Sequence, residues 1–225
     1  MHPPTGYIEI DRRFSRLHGS DRPEELAAAS FLGGSLATSL TLGWTELLKE
    51  RLVVVLGEPG SGKSWEFRAR CASLQAKGEN AFLIELERLV AGTFEALLAP
   101  ADRERFQKWL RRGQTGWFFL DSVDEAKIRR SADFYAALDK VVAAIGGAMD
   151  RARVLISSRI SEWRPETDRQ EVLGRFGPAR PPHQPEALEN GISVAQIVPL
   201  DRDRVRIFAE RRGIGNPDQF LAGVH

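Results

Sequence analysis

The chain has 225 residues, of which 42% are apolar and 28% charged, and a net charge of +1 at pH 7. That composition is ordinary for a globular protein with room for one α/β domain and a small appendage, and it gives no overall basic field of the kind nucleic acid or an anionic membrane attracts. The single cysteine, Cys71, excludes an intrachain disulfide and suits a reducing cytoplasm.

The start, Met1-His2-Pro3-Pro4, lacks the basic-then-apolar pattern of a signal peptide. Residues 26–42 are interrupted by Gly33, Gly34 and several hydroxyl residues and fall short of a membrane span. A cytoplasmic protein with no membrane partner is expected. Residues 1–50 read as a leader to which no chemistry is assigned. Tyr7–Ile10 is a short strand or an extended arm, Pro23-Glu24-Glu25-Leu26 starts a helix that ends by Gly33-Gly34, and Trp44–Glu50 is a short helix.

From residue 51 strands and helices alternate, which predicts an α/β fold: a five-stranded, mainly parallel sheet covered by helices on both faces. Leu52–Leu56 is the first core strand, an unbroken β-branched apolar run. The stretch Gly57-Glu58-Pro59-Gly60-Ser61-Gly62-Lys63-Ser64 follows it and fits G-x-x-x-x-G-K-[ST]. Beginning at Trp65 comes a helix on which Phe67, Cys71 and Leu74 repeat at helical spacing. Strand, glycine loop and helix occur in the order that phosphate binding needs. The glycines let the backbone aim N–H groups at a phosphate, and the helix start adds free donors and the positive end of its dipole. Gly57 through Trp65 are therefore the candidate nucleotide-binding residues. Lys63 reaches the β- and γ-phosphates, and the Ser64 hydroxyl ligates Mg²⁺.

The second strand is Asn80–Glu85, after the helix stop Lys77-Gly78. Helical segments are expected over 92–98 and 101–112, where Phe106, Trp109 and Leu110 form a core stripe. Trp117–Leu120 is the third strand. The pattern Phe134, Leu138, Val141, Ile145, Met149 predicts a helix over 131–149. Arg153–Ser157 is the fourth strand and Val194–Val198 the fifth. The connection between them, about 160–192, holds Pro165, Pro178, Pro181, Pro182 and Pro185, so most of it is expected to be neither helix nor central strand. Leu200–Arg212 begins an amphipathic helix with Val205, Phe208 and Ala209 on one side. Another apolar segment begins just before His225, so the chain reads as the N-terminal portion of something longer. The expected division is a leader over 1–50, a nucleotide-binding core over 51–199 and the start of a helical lid over 200–225.

The third strand runs into Asp121-Ser122-Val123-Asp124-Glu125. Ligands of such sheets bind at the carboxyl ends of the strands. Asp121 is the candidate second-sphere partner of Mg²⁺, which keeps most of its waters and needs only one or two protein oxygens. Asp124 and Glu125 are placed to hold and polarise an attacking water. Arg159, after Ser157-Ser158 at the end of the fourth strand, points to the same edge and could stabilise charge on the γ-phosphate. A structural ion pair to Asp121 or Asp124 would explain it equally well.

Together, Gly57–Ser64, Leu120-Asp121-Ser122-Val123-Asp124-Glu125 and Val154–Arg159 resemble the NACHT-type branch of the STAND P-loop NTPases. That branch carries a second motif of the form D-[GAS]-h-D-E, with h apolar, and a fourth strand ending in a polar pair and arginine. The resemblance covers about residues 44–212. It implies an ATPase that serves as the nucleotide switch of a signalling protein, with lid, winged-helix and repeat-sensor regions beyond the core. It also implies homo-oligomerisation through the parent protein and, in bacteria, a common role in defence against phages. The cofactors implied are ATP and Mg²⁺, and the motifs do not separate ATP from GTP. The alternatives are a nucleotide-gated interaction module with little hydrolysis and a nucleic-acid-associated AAA-like ATPase.

Overall fold

The computed structural model describes residues 6–17, 41–122, 131–177 and 191–214. In chain order the elements are β1 (Phe14–Leu17), β2 (Thr41–Leu42), α1 (Trp44–Leu47), β3 (Leu52–Leu56), α2 (Lys63–Ala76), β4 (Asn80–Glu85), α3 (Leu86–Ala91), α4 (Phe94–Leu97) and α5 (Pro100–Arg112). They continue with β5 (Gly116–Asp121), α6 (Ser131–Ile145), β6 (Ala152–Ser158), α7 (Pro165–Phe176), β7 (Ser193–Ile197) and α8 (Arg202–Arg211), with 3-10 turns at Gly146–Arg151 and Ile160–Glu162.

The strands form one seven-stranded sheet in the order β2-β1-β7-β3-β6-β5-β4. The five strands from β7 to β4 are mutually parallel, as the alternation of strand and helix predicts. The count differs from the expected five because the leader supplies two more. β1 runs antiparallel to β7, with Phe14 opposite Ile197, and β2 runs antiparallel to β1. Tyr7–Ile10 is not a strand; it is an irregular segment ahead of β1.

Period-two alternation sorts the sheet's side chains onto two faces. Leu52, Val54, Leu56, Phe82, Ile84, Phe118, Leu120, Val154 and Ile156 share one face with buried residues of α3 through α7. Val53, Val55, Ala81, Phe119, Leu155, Ala195 and Ile197 share the other with Trp44 and Leu47 of α1, Phe67 and Cys71 of α2, and Phe14 of β1. All five residues of β3 are buried, because helices cover both of its faces. Cys71 is a buried apolar group, as its helix position implies, and burial pushes its thiol up to about 12.

The connection after β6 is more regular than its prolines suggest. Pro165 occupies the first turn of α7, where a missing N–H costs no helical bond and a fixed φ favours the helix. The N–H of Arg164 is satisfied instead by the Asp168 carboxylate at 2.7 Å. The four later prolines named above lie outside the described residues, as do Pro23–Leu26, Gly33-Gly34 and the segment before His225. The helix expected to reach Met149 ends at Ile145, where Gly146 takes φ +53° and a 3-10 turn leads into β6. No helix among the described residues is long and apolar enough to cross a membrane.

Phe14 tests whether the leader is structural. It is fully buried, with its ring centroid 4.9 Å from that of Trp44 in an edge-to-face pair. Phe14→Ala should lower the stability of the whole domain by about 3–5 kcal/mol, the usual cost of deleting a buried phenyl ring. Urea unfolding measures this, and a loss below about 1 kcal/mol would show that β1 is dispensable.

Candidate functional site

The carboxyl ends of β3, β6, β5 and β4 lie side by side. Leu56 is in register with Ser158, Leu120 with Ile156, and Glu85 with Asp121. The phosphate-loop motif leaves the end of β3, and the acidic motif leaves the end of β5. β6 lies between these two strands, so the motifs can meet only across it.

The loop Gly57–Gly62 is tight. The Gly57 N–H donates to the Ser158 carbonyl at 3.2 Å, and the Ser61 N–H to the Glu58 carbonyl at 3.1 Å. Gly60 and Gly62 take φ +77° and +92°, the left-handed region that only glycine enters at low cost. Gly57 is required for a different reason: a Cβ there would stand 2.5 Å from Ile197 Cγ2 and 2.7 Å from Ser61 Oγ. Gly62 caps α2 without any side-chain hydrogen bond, so the helix start offers its backbone donors to the loop. Pro59 lies within the loop, and Trp65, in the first turn of α2, is exposed beside it.

Lys63 folds back over the loop. Its ammonium donates to the carbonyls of Gly57 at 2.6 Å and Glu58 at 3.1 Å. Burial lowers its pKa and nearby Arg159 lowers it further, while Asp121 and Glu58 act in the opposite direction. A partly desolvated ammonium held by carbonyl dipoles is well placed to exchange them for an anion.

Asp121 is fully buried. Its Oδ1 accepts from the Ser64 hydroxyl at 3.2 Å and from the Ser157 hydroxyl at 2.8 Å. Ser157 also accepts from the Ser122 N–H at 3.0 Å, and its carbonyl accepts from the Ser122 hydroxyl at 2.6 Å. Asp121 Oδ2 is buried with no hydrogen-bond partner among the described residues. Burial raises the Asp121 pKa, and the two hydroxyl donors only partly offset it.

This donor set fits Mg²⁺. One hydroxyl and one carboxylate with an unused oxygen, both hard oxygen donors, suit a cation that retains most of its water. No cluster of three acidic, histidine or cysteine groups occurs among the described residues, and such a cation does not require one.

Arg159 stands at the loop's edge just beyond β6, half-buried, 3.7 Å from the Glu162 carboxylate and close enough to Lys63 to shift its titration. The structure thus brings together Gly57 through Trp65, Asp121 and Arg159. Asp124 and Glu125 lie outside the described residues.

Sequence reasoning missed three residues at this edge. Ser157 links the two motifs across β6, yet it reads in sequence only as half of a polar pair. Glu85, at the end of β4, accepts from Arg68 at 3.1 Å beside Asp121. Arg12, from the leader, donates to the Ser61 carbonyl at 3.1 Å. Only the placement of Glu85 at a strand end could have flagged it.

No protein-family model and no curated protein matches the chain. Among solved structures, a DNA replication initiation factor aligns at 15% identity over 75% of this chain and 47% of its own, with a TM-score of 0.43. The replication initiator DnaA bound to AMPPCP and single-stranded DNA aligns at 13% identity over 75% and 48%, with a TM-score of 0.42. AMPPCP-bound DnaA from Aquifex aeolicus aligns at 14% identity over 71% and 43%, with a TM-score of 0.38. The chain spans less than half the length of each. The fold description therefore rests on this chain's own strand order and hydrogen bonds.

Gly57→Ala should destabilise the domain by about 1–3 kcal/mol through overpacking against Ile197. A denaturation midpoint equal to that of the unsubstituted protein would show that the loop is looser than its contacts indicate.

Proposed function

We propose that this chain binds a nucleoside triphosphate on Gly57–Ser64 and hydrolyses it. The observation that supports this reading most directly is the Ser64–Asp121 hydrogen bond across β6. It joins two motifs 57 residues apart in sequence into one oxygen-donor site with a carboxylate oxygen to spare.

In this reading the N–H groups of the loop and of the start of α2 cradle the phosphates. The Lys63 ammonium leaves the carbonyls of Gly57 and Glu58 for β- and γ-phosphate oxygens. Ser64 and Asp121 would hold Mg²⁺. The bound cation supplies neutralisation of phosphate charge. Glu125, with Asp124 beside it, orients a water and takes its proton as the water oxygen bonds to the γ-phosphorus and the bond to the β–γ bridging oxygen breaks. Arg159 faces the transferred group and favours the charge that develops on it. The roles of Asp124 and Glu125 rest on the sequence motif alone.

The adenine nucleotide is the preferred substrate on the strength of the NACHT-type resemblance. The same resemblance suggests a switch within an oligomerising signalling protein, with antiphage defence as its setting and the cytoplasm as its compartment. The division into leader, core over 51–199 and nascent lid over 200–225 belongs to this proposal. β1 and β2 nonetheless tie part of the leader into the same sheet.

Lys63→Ala should abolish measurable ATP binding by calorimetry, because the loop then loses its only ammonium. Glu125→Gln should leave the affinity within about twofold and cut phosphate release by roughly 10²–10⁴-fold. Equal affinity in the Lys63 variant would sink the binding assignment. Phosphate release unchanged in the Glu125 variant would remove that residue from catalysis.

A further inference from the structure

Residues 6–13 lie between α2 and α8 and touch both. On the α2 side, Arg12 Nη2 donates to the Ser61 carbonyl at 3.1 Å, and Arg12 Nε is 3.6 Å from Glu66 Oε1. The Tyr7 hydroxyl donates to the same carboxylate at 3.2 Å, and Arg70 donates to the Glu9 carboxylate at 3.1 Å. On the α8 side, Arg211 donates to the Glu9 backbone carbonyl, and Arg204 lies 3.7 Å from the Asp11 carboxylate. Glu9 is thus held from both directions, through its side chain by α2 and through its carbonyl by α8.

Arg12 is the contact that reaches the loop itself. Its side chain is only 13% exposed, and that of Glu66 5%. Burial disfavours both charges, lowering the arginine's pKa and raising the glutamate's, so each depends on the other. A Cβ on Gly62 would lie 3.0 Å from Arg12 Nη2, so the guanidinium rests on the backbone where α2 begins. Glu66 is fixed from behind by the Trp44 indole N–H at 2.7 Å. Any rearrangement of Ser61 and Gly62 must therefore displace Arg12 and, with it, the segment that α8 grips.

We infer that Arg12 is a positioning residue for the phosphate loop, and that residues 6–13 carry the loop's ligand-dependent state to α8. This rests on the proposed reading that Gly57–Ser64 takes a nucleoside triphosphate. The strap has two separable ends: Arg12 on the loop, and Asp11 with the Glu9 carbonyl on α8.

Amide hydrogen exchange on the full chain, with and without Mg²⁺ and AMPPCP, tests it. In the unsubstituted protein the ligand should slow exchange in residues 57–66, 6–13 and 202–211. Arg12→Ala should retain ligand protection at 57–66, with affinity lowered about tenfold, and lose it at 202–211. Arg12→Lys should restore the α8 response only partly, because an ammonium lacks the planar fork. The double variant Arg204→Ala/Arg211→Ala removes both contacts from α8, leaves the buried end intact and covers the case in which Arg12→Ala fails to fold. It should lose the α8 response with affinity within about twofold of the unsubstituted protein. Full protection at 202–211 in either alanine variant would overturn the inference, even if its melting temperature falls. Absence of protection at 57–66 in the unsubstituted protein would instead overturn the nucleotide reading, and this inference with it.

Discussion

Asp121 is a carboxylate taken wholly out of water at the end of a buried strand, with no cationic side chain in direct hydrogen-bond contact among the described residues. Desolvating such a group costs several kcal/mol unless its lone pairs are satisfied. Here one oxygen is satisfied twice, by Ser64 and Ser157, and the other by none of the described residues. Two weak hydroxyl donors cannot balance the burial, which is why the group's pKa is raised. A site optimised for stability alone would place a lysine or arginine there, or an apolar side chain. In the proposed reading, a bound cation would supply the missing favourable interaction.

The position of β6 makes that geometry possible. Its backbone fixes the distance between β3 and β5, and Ser157 fills the gap with a side chain small enough to bond in both directions. A larger residue at Ser157 would push Asp121 from Ser64. An apolar one would leave the Ser122 N–H without its partner. Burial and hydrogen bonding thus make the polar pair at the end of β6 part of the site.

The parallel core was legible in the sequence because its signals are local. β3, β4, β5 and β6 are apolar runs bounded by helix stops, and the glycine loop sits between a strand and a helix. The two additional strands were not legible. Phe14-Ser15-Arg16-Leu17 carries only two apolar residues, and what makes it a strand is pairing with β7, about 180 residues away. Nothing within its own window encodes that partner. α7 was obscured for the opposite reason: a proline that usually breaks helices stands at the one position where it favours them. At the site, residue types and order singled out Ser64 and Asp121 as candidates, whereas the bridging Ser157 and the leader residue Arg12 depend on tertiary placement alone.

α2 gathers these constraints into one rigid body. Its helical period sends Ser64 toward Asp121, Phe67 and Cys71 into the core beneath the sheet, and Glu66 and Arg70 toward residues 6–13. Each face is held by a different kind of interaction: an oxygen-donor site, apolar packing, and a buried ion-pair network. The apolar face cannot shift without opening a cavity, which costs several kcal/mol. The two polar faces exchange partners at far lower cost, because hydrogen bonds and ion pairs can be replaced by ligand or water. In the proposed coupling, a change at the loop leaves α2 seated on the sheet and passes along the polar face where Glu66 meets the leader.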